Sequence, residues 1–305
     1  MRETAIGISD LSKFFGDNLA VDKLNLEIYR GELFGLVGPD GVGKTTVMRL
    51  LASIMQPTSG DAFVAGHSIL TAGELIREKI GYMSQKFGLY EDLTVIENIL
   101  FYADIYEVPA GERPDRIERL LGFSNLAPFK DRLAGKLSGG MKQKLGLACA
   151  LVHTPEVLFL DEPTNGVDPV SRRDFWKILY DLLNKGVTIF VSTSYLDEAE
   201  RCSRIGLMYH GRLLIVDEPR RVKQTLGIPM VEIWCDDPRS AAEFIRSMEG
   251  VKKVNVYGDR LHVAMANRDS LPALIEKLKT QKVAVRDYRD IMPSIEDVFI
   301  TMVEK

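Results

Sequence analysis

The sequence predicts an α/β domain with a mostly parallel central sheet, followed by a smaller α+β domain. Short apolar runs that begin at Leu33, Val157 and Val187 have the length and composition of buried strands. The stretches between them have helical periodicity, and strands that alternate with helices are typical of α/β folds. After about Arg220 the pattern becomes strand–helix–strand–strand–helix–strand, which predicts a ferredoxin-like module.

The first domain begins with alternating apolar and polar residues at 5–11 and 24–28, which predict antiparallel strands. The apolar run from Leu33 leads into a glycine-rich turn and then a helical pattern that Pro57 ends. Residues 94–155 are largely helical in pattern.

The second domain contains a hairpin signal, Gly258-Asp259, between two strand-like segments, and it ends with a helical segment, SIEDVFITMVEK. We therefore expect one α/β domain at residues 1–225, with a helical subdomain at about 90–155, and an accessory domain at residues 226–305.

The composition excludes several classes of protein. The chain has 305 residues and a net charge of -4, which gives no electrostatic reason to expect nucleic acid as a partner. Its three cysteines are far apart and form no CxxC pair, so we expect neither a disulfide framework nor a zinc site, and a reducing compartment fits best. No signal peptide is evident, and no apolar run approaches the ~20 residues that span a bilayer. If the protein acts at a membrane, we expect it to be a peripheral subunit, with the membrane-spanning part on another chain.

The glycine-rich turn after the first buried strand matches the phosphate-binding pattern G-x-x-x-x-G-K-[ST]. Glycines allow backbone N–H groups to surround phosphates, and the start of the next helix adds partial positive charge. Lys44 would reach the β- and γ-phosphates of ATP, and the Thr45 hydroxyl would hold Mg²⁺. The predicted phosphate-binding residues are Gly38, Pro39, Asp40, Gly41, Val42, Gly43, Lys44, Thr45 and Thr46.

Two acidic residues stand at the end of the second buried strand, in VLFLDE. Asp161 is the candidate that organises Mg²⁺, and Glu162 is the candidate general base for the attacking water. Two acids at a strand end could also be a solvated terminus. Their position after a phosphate-binding loop favours the catalytic interpretation.

The segment Leu137–Met141, LSGGM, narrows the class. Ser138 can cap the following helix, and the two glycines expose N–H groups at its positive end. In this order, the phosphate-binding loop, LSGGM and VLFLDE resemble the ATP-binding subunits of ABC transporters, whose signature reads LSGGQ. The resemblance covers essentially the whole chain. It is strongest to the ABC-2 exporter group of the multidrug and daunorubicin type, through GLYEDLTVIENI, STSYLDEAER and SIEDVFI, and within that group to the first ATPase half of tandem proteins.

This resemblance implies a P-loop NTPase fold with a RecA-like core, an antiparallel β subdomain and a helical subdomain. It implies that Phe15 stacks on adenine, with the neighbouring Phe14 as the alternative. Gln85 would contact Mg²⁺ or water and link the site to the membrane partner, and Asp168 would cross a dimer interface. The signature residues that would close over a partner's ATP are Ser138, Gly139, Gly140 and Met141.

The resemblance also implies the cofactors and partners. ATP and Mg²⁺ are the expected cofactors, with the metal held by Thr45, Gln85 and Asp161. The expected partners are a second nucleotide-binding domain, in a homodimer or a tandem or heterodimeric assembly, and an ABC-2 permease. The expected location is the cytoplasmic face of the inner membrane.

Ser194 departs from the family pattern, in which a histidine at this place contacts the γ-phosphate and helps to fix the water and Glu162. Serine keeps a hydroxyl but lacks the reach and the titratable ring. Loss of a proton-handling group commonly costs ~10²–10⁴-fold in rate, so we expect ATP binding with slow hydrolysis at this site. None of the four histidines stands at this position, and we interpret all of them as structural or exposed: His67, His153, His210 and His262.

Three functions remain open. The favoured one is an energy-coupling ATPase of an exporter. The second is a soluble ABC ATPase that acts on ribosomes or nucleic acid, but such proteins usually carry two cassettes and basic linkers. The third is a nearly non-hydrolysing regulatory module that senses ATP, which Ser194 favours and the intact Lys44, Asp161 and Glu162 argue against. The sequence carries no signal for the transported substrate, since that molecule would contact the membrane partner.

Overall fold

A computed structural model describes residues 3–86, 88–281 and 283–303 of the chain. The chain divides into two compact units after Asp217. The sequence placed this boundary later, after residue 225. The difference is a helix, α8 (Pro219–Gln224), which belongs to the second unit because it packs against that unit's last helix, α11 (Ile295–Val303).

A six-stranded sheet forms the centre of the first unit. Its strands are β3 (Leu33–Val37), β6 (Ile80–Met83), β7 (Val157–Asp161), β8 (Thr188–Thr193), β9 (Arg204–Tyr209) and β10 (Arg212–Asp217). They lie in the order β10-β9-β3-β8-β7-β6, and all neighbours are parallel except β10 and β9. Every residue of β3, β7 and β8 is buried, because helices or the second sheet cover both faces. The predicted parallel α/β core is confirmed.

An antiparallel sheet packs beside this core. Its strands are β1 (Thr4–Phe15), β2 (Asn18–Tyr29), β4 (Ser59–Val64) and β5 (His67–Ser68), in the order β2-β1-β4-β5. Helix α1 (Lys44–Leu51) buries Val47 and Met48 in one apolar cluster with Ile6 of the antiparallel sheet and Phe159 of the central sheet. The segment that leads into α1 is therefore held between two sheets.

A helical subdomain lies between β6 and β7 along the chain. It contains α3 (Val95–Ile105), α4 (Arg113–Phe123), 3₁₀ turns at Ala127–Phe129 and Ala134–Lys136, and α5 (Gly139–Leu151). Thr94 and Glu97 form a reciprocal capping box that starts α3, as the S/T-x-x-E pattern predicts.

The remaining helices of the first unit are α2 (Gly73–Lys79), α6 (Pro169–Asn184) and α7 (Leu196–Ala199). Across the described parts of the whole chain, no helix combines the length and the apolarity that crossing a membrane requires.

The second unit has the predicted βαββαβ order. Its elements are β11 (Met230–Cys235), α9 (Pro238–Arg246), β12 (Val251–Tyr257), β13 (Arg260–Met265), α10 (Leu271–Thr280) and β14 (Val285–Ile291). The sheet order is β12-β13-β11-β14 and every pair is antiparallel, which is the ferredoxin-like arrangement. One sheet face packs on α9 and α10 through an apolar cluster.

The other face of this sheet carries polar side chains that hold α11. Asp297, fully buried, accepts hydrogen bonds from Asn255 and Tyr257 and lies 3.2 Å from His262 Nδ1. Burial alone would lower the pKa of the His262 imidazole, but hydrogen bonds and charges from Asp297 and Glu232 outweigh it and raise that pKa above its ordinary value.

Candidate active site

The glycine-rich loop joins the buried strand β3 to α1 and is shaped by close backbone contacts. Gly43 has φ 109°, and a Cβ there would lie 2.2 Å from the carbonyl oxygen of Ala20. A Cβ on Gly38 would lie 2.3 Å from the carbonyl oxygen of Met208. Only glycine fits these two places, so the loop can pass close to its neighbours before the helix begins at Lys44.

Lys44 is held at the centre of this loop with its side chain 3% exposed. Its ammonium donates hydrogen bonds to the carbonyl oxygens of Gly38 at 2.8 Å and Pro39 at 2.9 Å. It also lies 3.0 Å from Glu162 Oε1 and 3.8 Å from Asp40 Oδ1. The structure therefore brings the predicted phosphate-binding lysine and the predicted base into direct contact.

Asp161 lies at the end of β7, next to the start of α1. Its Oδ1 accepts hydrogen bonds from Thr45 Oγ1 at 3.1 Å and from Ser192 Oγ at 2.7 Å. Its Oδ2 is buried and has no hydrogen-bond partner among the described residues. A buried carboxylate oxygen without a partner is costly, and a cation at this place would satisfy it. The hard oxygen donors of Thr45 and Asp161 fit Mg²⁺, which agrees with the predicted assignment of these two residues.

Glu162 follows at once in a left-handed conformation, with φ 49°. Its backbone N–H donates to Ser192 Oγ at 3.0 Å, which holds the turn against β8. Its Oε2 accepts from Gln85 Nε2 and from Asn165 Nδ2, each at 3.2 Å. Gln85 thus contacts the predicted base.

A cavity of about 490 Å³ opens over the loop. Of the predicted residues it is lined by Phe15, Asp40, Gly41, Val42, Gly43, Lys44, Thr45, Thr46, Gln85 and Glu162. Phe14 is not among the lining residues, so of the two aromatic candidates the structure brings Phe15 to the site. Gly38, Pro39 and Asp161 lie directly beneath the cavity through their contacts with Lys44 and Thr45.

His210 also lines this cavity, and its sequence context gave no reason to place it there. It stands in the turn between β9 and β10, with φ 45°. That turn closes on the glycine-rich loop because the N–H of Gly211 donates to the carbonyl oxygen of Val42 at 3.1 Å. The contact joins segments that are far apart in the chain, so no local pattern announces it.

Ser194 follows the last residue of β8 and is half-buried. Within the described residues, no group forms a hydrogen bond with its hydroxyl, whereas its neighbours Thr193 and Tyr195 are both bonded. Serine at this place therefore does not reach Glu162. Two residues without a predicted role contact Glu162 instead: Asn165 donates to its carboxylate, and Ser192 accepts from its backbone N–H.

The signature segment lies outside the cavity. Ser138 caps α5, because its hydroxyl accepts from the N–H of Met141 at 3.3 Å. Gly139 opens α5, and a Cβ on Gly140 would lie 2.5 Å from the side chain of Ser171, so α5 and α6 start side by side.

Asp168 caps α6 and is also outside the cavity. It accepts from the N–H groups of Val170 at 3.1 Å and Ser171 at 2.9 Å. Hydrogen bonds from the side chain and backbone of Ser171 hold the pKa of the Asp168 carboxyl below its ordinary value, so the cap is ionised. The helix starts that Ser138 and Asp168 cap therefore lie close together and outside the cavity.

Comparison with known proteins finds the same combination of sequence and fold. Residues 21–165 match the family described as ABC transporter, and residues 218–303 match ATP-binding protein DrrA1-3-like, C-terminal domain. The chain is 34% identical over 304 residues to Nod factor export ATP-binding protein I of Rhizobium sp. (strain N33), covering 99% of this chain and 98% of that protein.

A second relative is longer than this chain. The probable multidrug ABC transporter ATP-binding protein YbhF of Escherichia coli (strain K12) is 51% identical over 229 residues, which cover 74% of this chain but 40% of YbhF. The matched part of the chain thus spans about two fifths of that relative's length. Among solved structures, the dimeric ATP-binding cassette MJ0796 bound to ADP and Pi is similar at a TM-score of 0.64 and 27% identity, covering 70% of this chain and 98% of that one.

Proposed function

Because the chain belongs to the ABC transporter ATP-binding family, we propose that it is the ATP-binding subunit of an ABC-2 type exporter. In this role it binds MgATP and couples ATP binding and hydrolysis to export by a separate membrane permease. The observation that carries the proposal is that Lys44 and Glu162 are in contact at one cavity, which is also lined by Thr45, the hydrogen-bond partner of Asp161. It would act as a peripheral subunit on the cytoplasmic face of the inner membrane.

The contacts of Lys44 suggest how nucleotide entry prepares the site. Its ammonium, 3.0 Å from Glu162 Oε1, neutralises that carboxylate in the absence of a phosphate. A γ-phosphate that enters the loop would compete for the ammonium and release Glu162. The freed carboxylate would then take a proton from the water that attacks the γ-phosphorus, while the bond from that phosphorus to the ADP oxygen breaks.

The metal site follows from the orphan oxygen of Asp161. Thr45 and Asp161 would hold Mg²⁺, with the Gln85 amide close to Glu162 at the rim of the site. When bound, the ion would neutralise charge that develops on the phosphates.

A second nucleotide-binding domain would complete the site. The caps formed by Ser138 and Asp168 lie outside the cavity of their own chain, where they could face a partner's nucleotide. The dimeric form of the MJ0796 cassette supports this arrangement. The partner could be a second copy or a different cassette.

In this proposal, Ser194 makes ATP hydrolysis slow at this chain's own site. Its hydroxyl makes no hydrogen bond to Glu162, and it lacks the reach and the titratable ring of an imidazole. The expected deficit is ~10²–10⁴-fold in hydrolysis, or roughly 3–5 kcal/mol of activation free energy. ATP binding would suffer less because the backbone loop and Lys44 are intact. With a partner that keeps its histidine, the assembly would have one slow and one fast site.

Steady-state hydrolysis by the isolated chain tests the proposal. Glu162→Gln should abolish turnover while ATP still binds, and Ser194→His should raise turnover toward the rate that an imidazole gives. Fast wild-type hydrolysis that Ser194→His leaves unchanged would contradict the slow site. ATP binding without turnover in both wild type and Ser194→His would favour a regulatory nucleotide sensor. Co-purification with RNA instead of a membrane protein would favour the ribosome-linked alternative.

A further inference from the structure

We infer that Tyr195 is a positioning residue for Glu162, acting through the amide of Asn165. The inference rests on the proposed role of Glu162 as the base in ATP hydrolysis. Tyr195 directly follows Ser194, so the chain carries an orienting side chain one residue beyond the place where the imidazole is missing.

Two hydrogen bonds join the phenol to the carboxylate. Tyr195 Oη donates to Asn165 Oδ1 at 3.3 Å, and Asn165 Nδ2 donates to Glu162 Oε2 at 3.2 Å. An amide has one accepting end and one donating end. Because the phenol donor occupies the accepting end, the donating end is directed at the carboxylate.

The Tyr195 ring is itself fixed. The guanidinium of Arg172 lies 4.2 Å from its centroid, and the Tyr195 N–H donates to Thr193 Oγ1 at 3.0 Å. Arg172 in turn lies 3.5 Å from the fully buried carboxylate of Glu198. That carboxylate accepts from Thr193 Oγ1 at 2.8 Å, so the ring and the backbone of Tyr195 rest on one buried anchor.

This anchor matters once a phosphate takes Lys44 away from Glu162. The contacts to Glu162 Oε2 would then be those from Gln85 and Asn165. Both amide side chains are exposed, but Asn165 is held by the hydrogen bond from the Tyr195 phenol. Without that hydroxyl the amide can turn, and the carboxylate loses the donor that aligns it with the water. The loss of one net hydrogen bond corresponds to roughly a 2- to 12-fold lower rate of hydrolysis.

Tyr195→Phe tests this role, because it keeps the ring on Arg172 and removes only the hydroxyl. Single-turnover hydrolysis of radiolabelled ATP by the full chain measures the slow rate directly, and a fluorescent ATP analogue measures affinity. We expect the hydrolysis rate to fall roughly 2- to 12-fold with the Kd for nucleotide and the melting temperature unchanged. The hydrolysis rate of Asn165→Ala should fall at least as far. The rate of the double variant should be no lower than that of Asn165→Ala, because both residues act in one chain of contacts.

Tyr180→Phe is the matched control. The Tyr180 hydroxyl donates to the carbonyl oxygen of Arg201 at 3.3 Å on the same unit, so its removal should leave the hydrolysis rate unchanged. In a Ser194→His background, the restored imidazole should reduce the effect of Tyr195→Phe.

Several outcomes would overturn the inference. One is a hydrolysis rate of Tyr195→Phe equal to the rates of wild type and Tyr180→Phe, while Glu162→Gln is inactive. The role of Tyr195 would then be wrong, and the proposed function would remain supported. Another is a double variant whose loss is the product of the single losses. A Glu162→Gln variant that hydrolyses ATP like wild type would overturn the proposed base and this inference together.

Discussion

Asp161 offers the sharpest test of the metal site, because no described residue bonds its buried Oδ2, while Thr45 and Ser192 both bond Oδ1. Asp161→Asn keeps the shape of the side chain and an acceptor for those two hydroxyls. It removes the charge that would hold Mg²⁺. In the absence of nucleotide we expect a change in unfolding free energy within about 1 kcal/mol, since one buried polar atom stays unpaired in both proteins.

The stabilisation that MgATP should give follows from the linkage between ligand binding and folding. At MgATP equal to about 100 times Kd, binding stabilises the wild type by about 2.7 kcal/mol, or roughly 5–11 °C for a unit of this size. A contact to a charged group contributes about 1.5–3 kcal/mol, so its loss weakens binding about 13- to 160-fold. At the same ligand concentration the variant would then gain only about 0.3–1.3 kcal/mol, or roughly 1–5 °C.

Thermal unfolding of the full chain with MgATP, with ATP and EDTA, and without ligand measures these shifts. Asp181→Asn, on an exposed carboxylate of α6, is the control and should keep the whole MgATP shift. If Asp161→Asn kept that shift as well, or if EDTA made no difference to wild type, the assignment of Asp161 to Mg²⁺ would be wrong.

Three further predictions concern other parts of the chain. Phe15→Ala should weaken binding of a fluorescent ATP analogue roughly 5- to 150-fold, the value of one base–aromatic stack, and Phe14→Ala should not; equal affinities would argue against stacking. Gly43→Ala should destabilise the chain by about 2–4 kcal/mol in urea unfolding, because its Cβ would lie 2.2 Å from a carbonyl oxygen at φ 109°. Gly111→Ala, with nothing within 4 Å of the new Cβ, should change stability by less than about 0.5 kcal/mol, and similar losses in both would refute the steric argument. Because the pKa of His262 is raised, its ion pairs stabilise the second unit fully below the unfolded pKa of about 6.5, and this stabilisation is lost as pH rises through the raised pKa. In urea unfolding, His262→Gln should therefore lower stability at about pH 5.5 but have little effect at about pH 8.5. An equal loss at both pH values would contradict this prediction.

Local patterns were enough to predict much of the fold. Strands β3, β7 and β8 are continuous apolar runs because helices or a second sheet cover both faces, and their sequences show this directly. The order of the second unit could be predicted because each element carries its own periodicity. The unit boundary was harder, since α8 is a short helix whose membership depends on its packing against α11 and not on its own residues.

In the candidate site, too, local patterns predict some features, and tertiary contacts decide the others. The glycine-rich loop and its lysine form a contiguous pattern, so the sequence by itself determined that this chain carries the G-x-x-x-x-G-K-[ST] pattern and that position 194 lacks an imidazole. Only the tertiary structure decided what stands around them. Thr45 meets Asp161 across 116 positions of the chain, and Tyr195 meets Asn165 across 30. Such contacts depend on which strands become neighbours in the sheet, and no local pattern records that choice. For this reason the sequence alone showed that the histidine is absent. The amide that bonds Glu162, and the phenol that bonds this amide, depend on the pairing of β7 with β8.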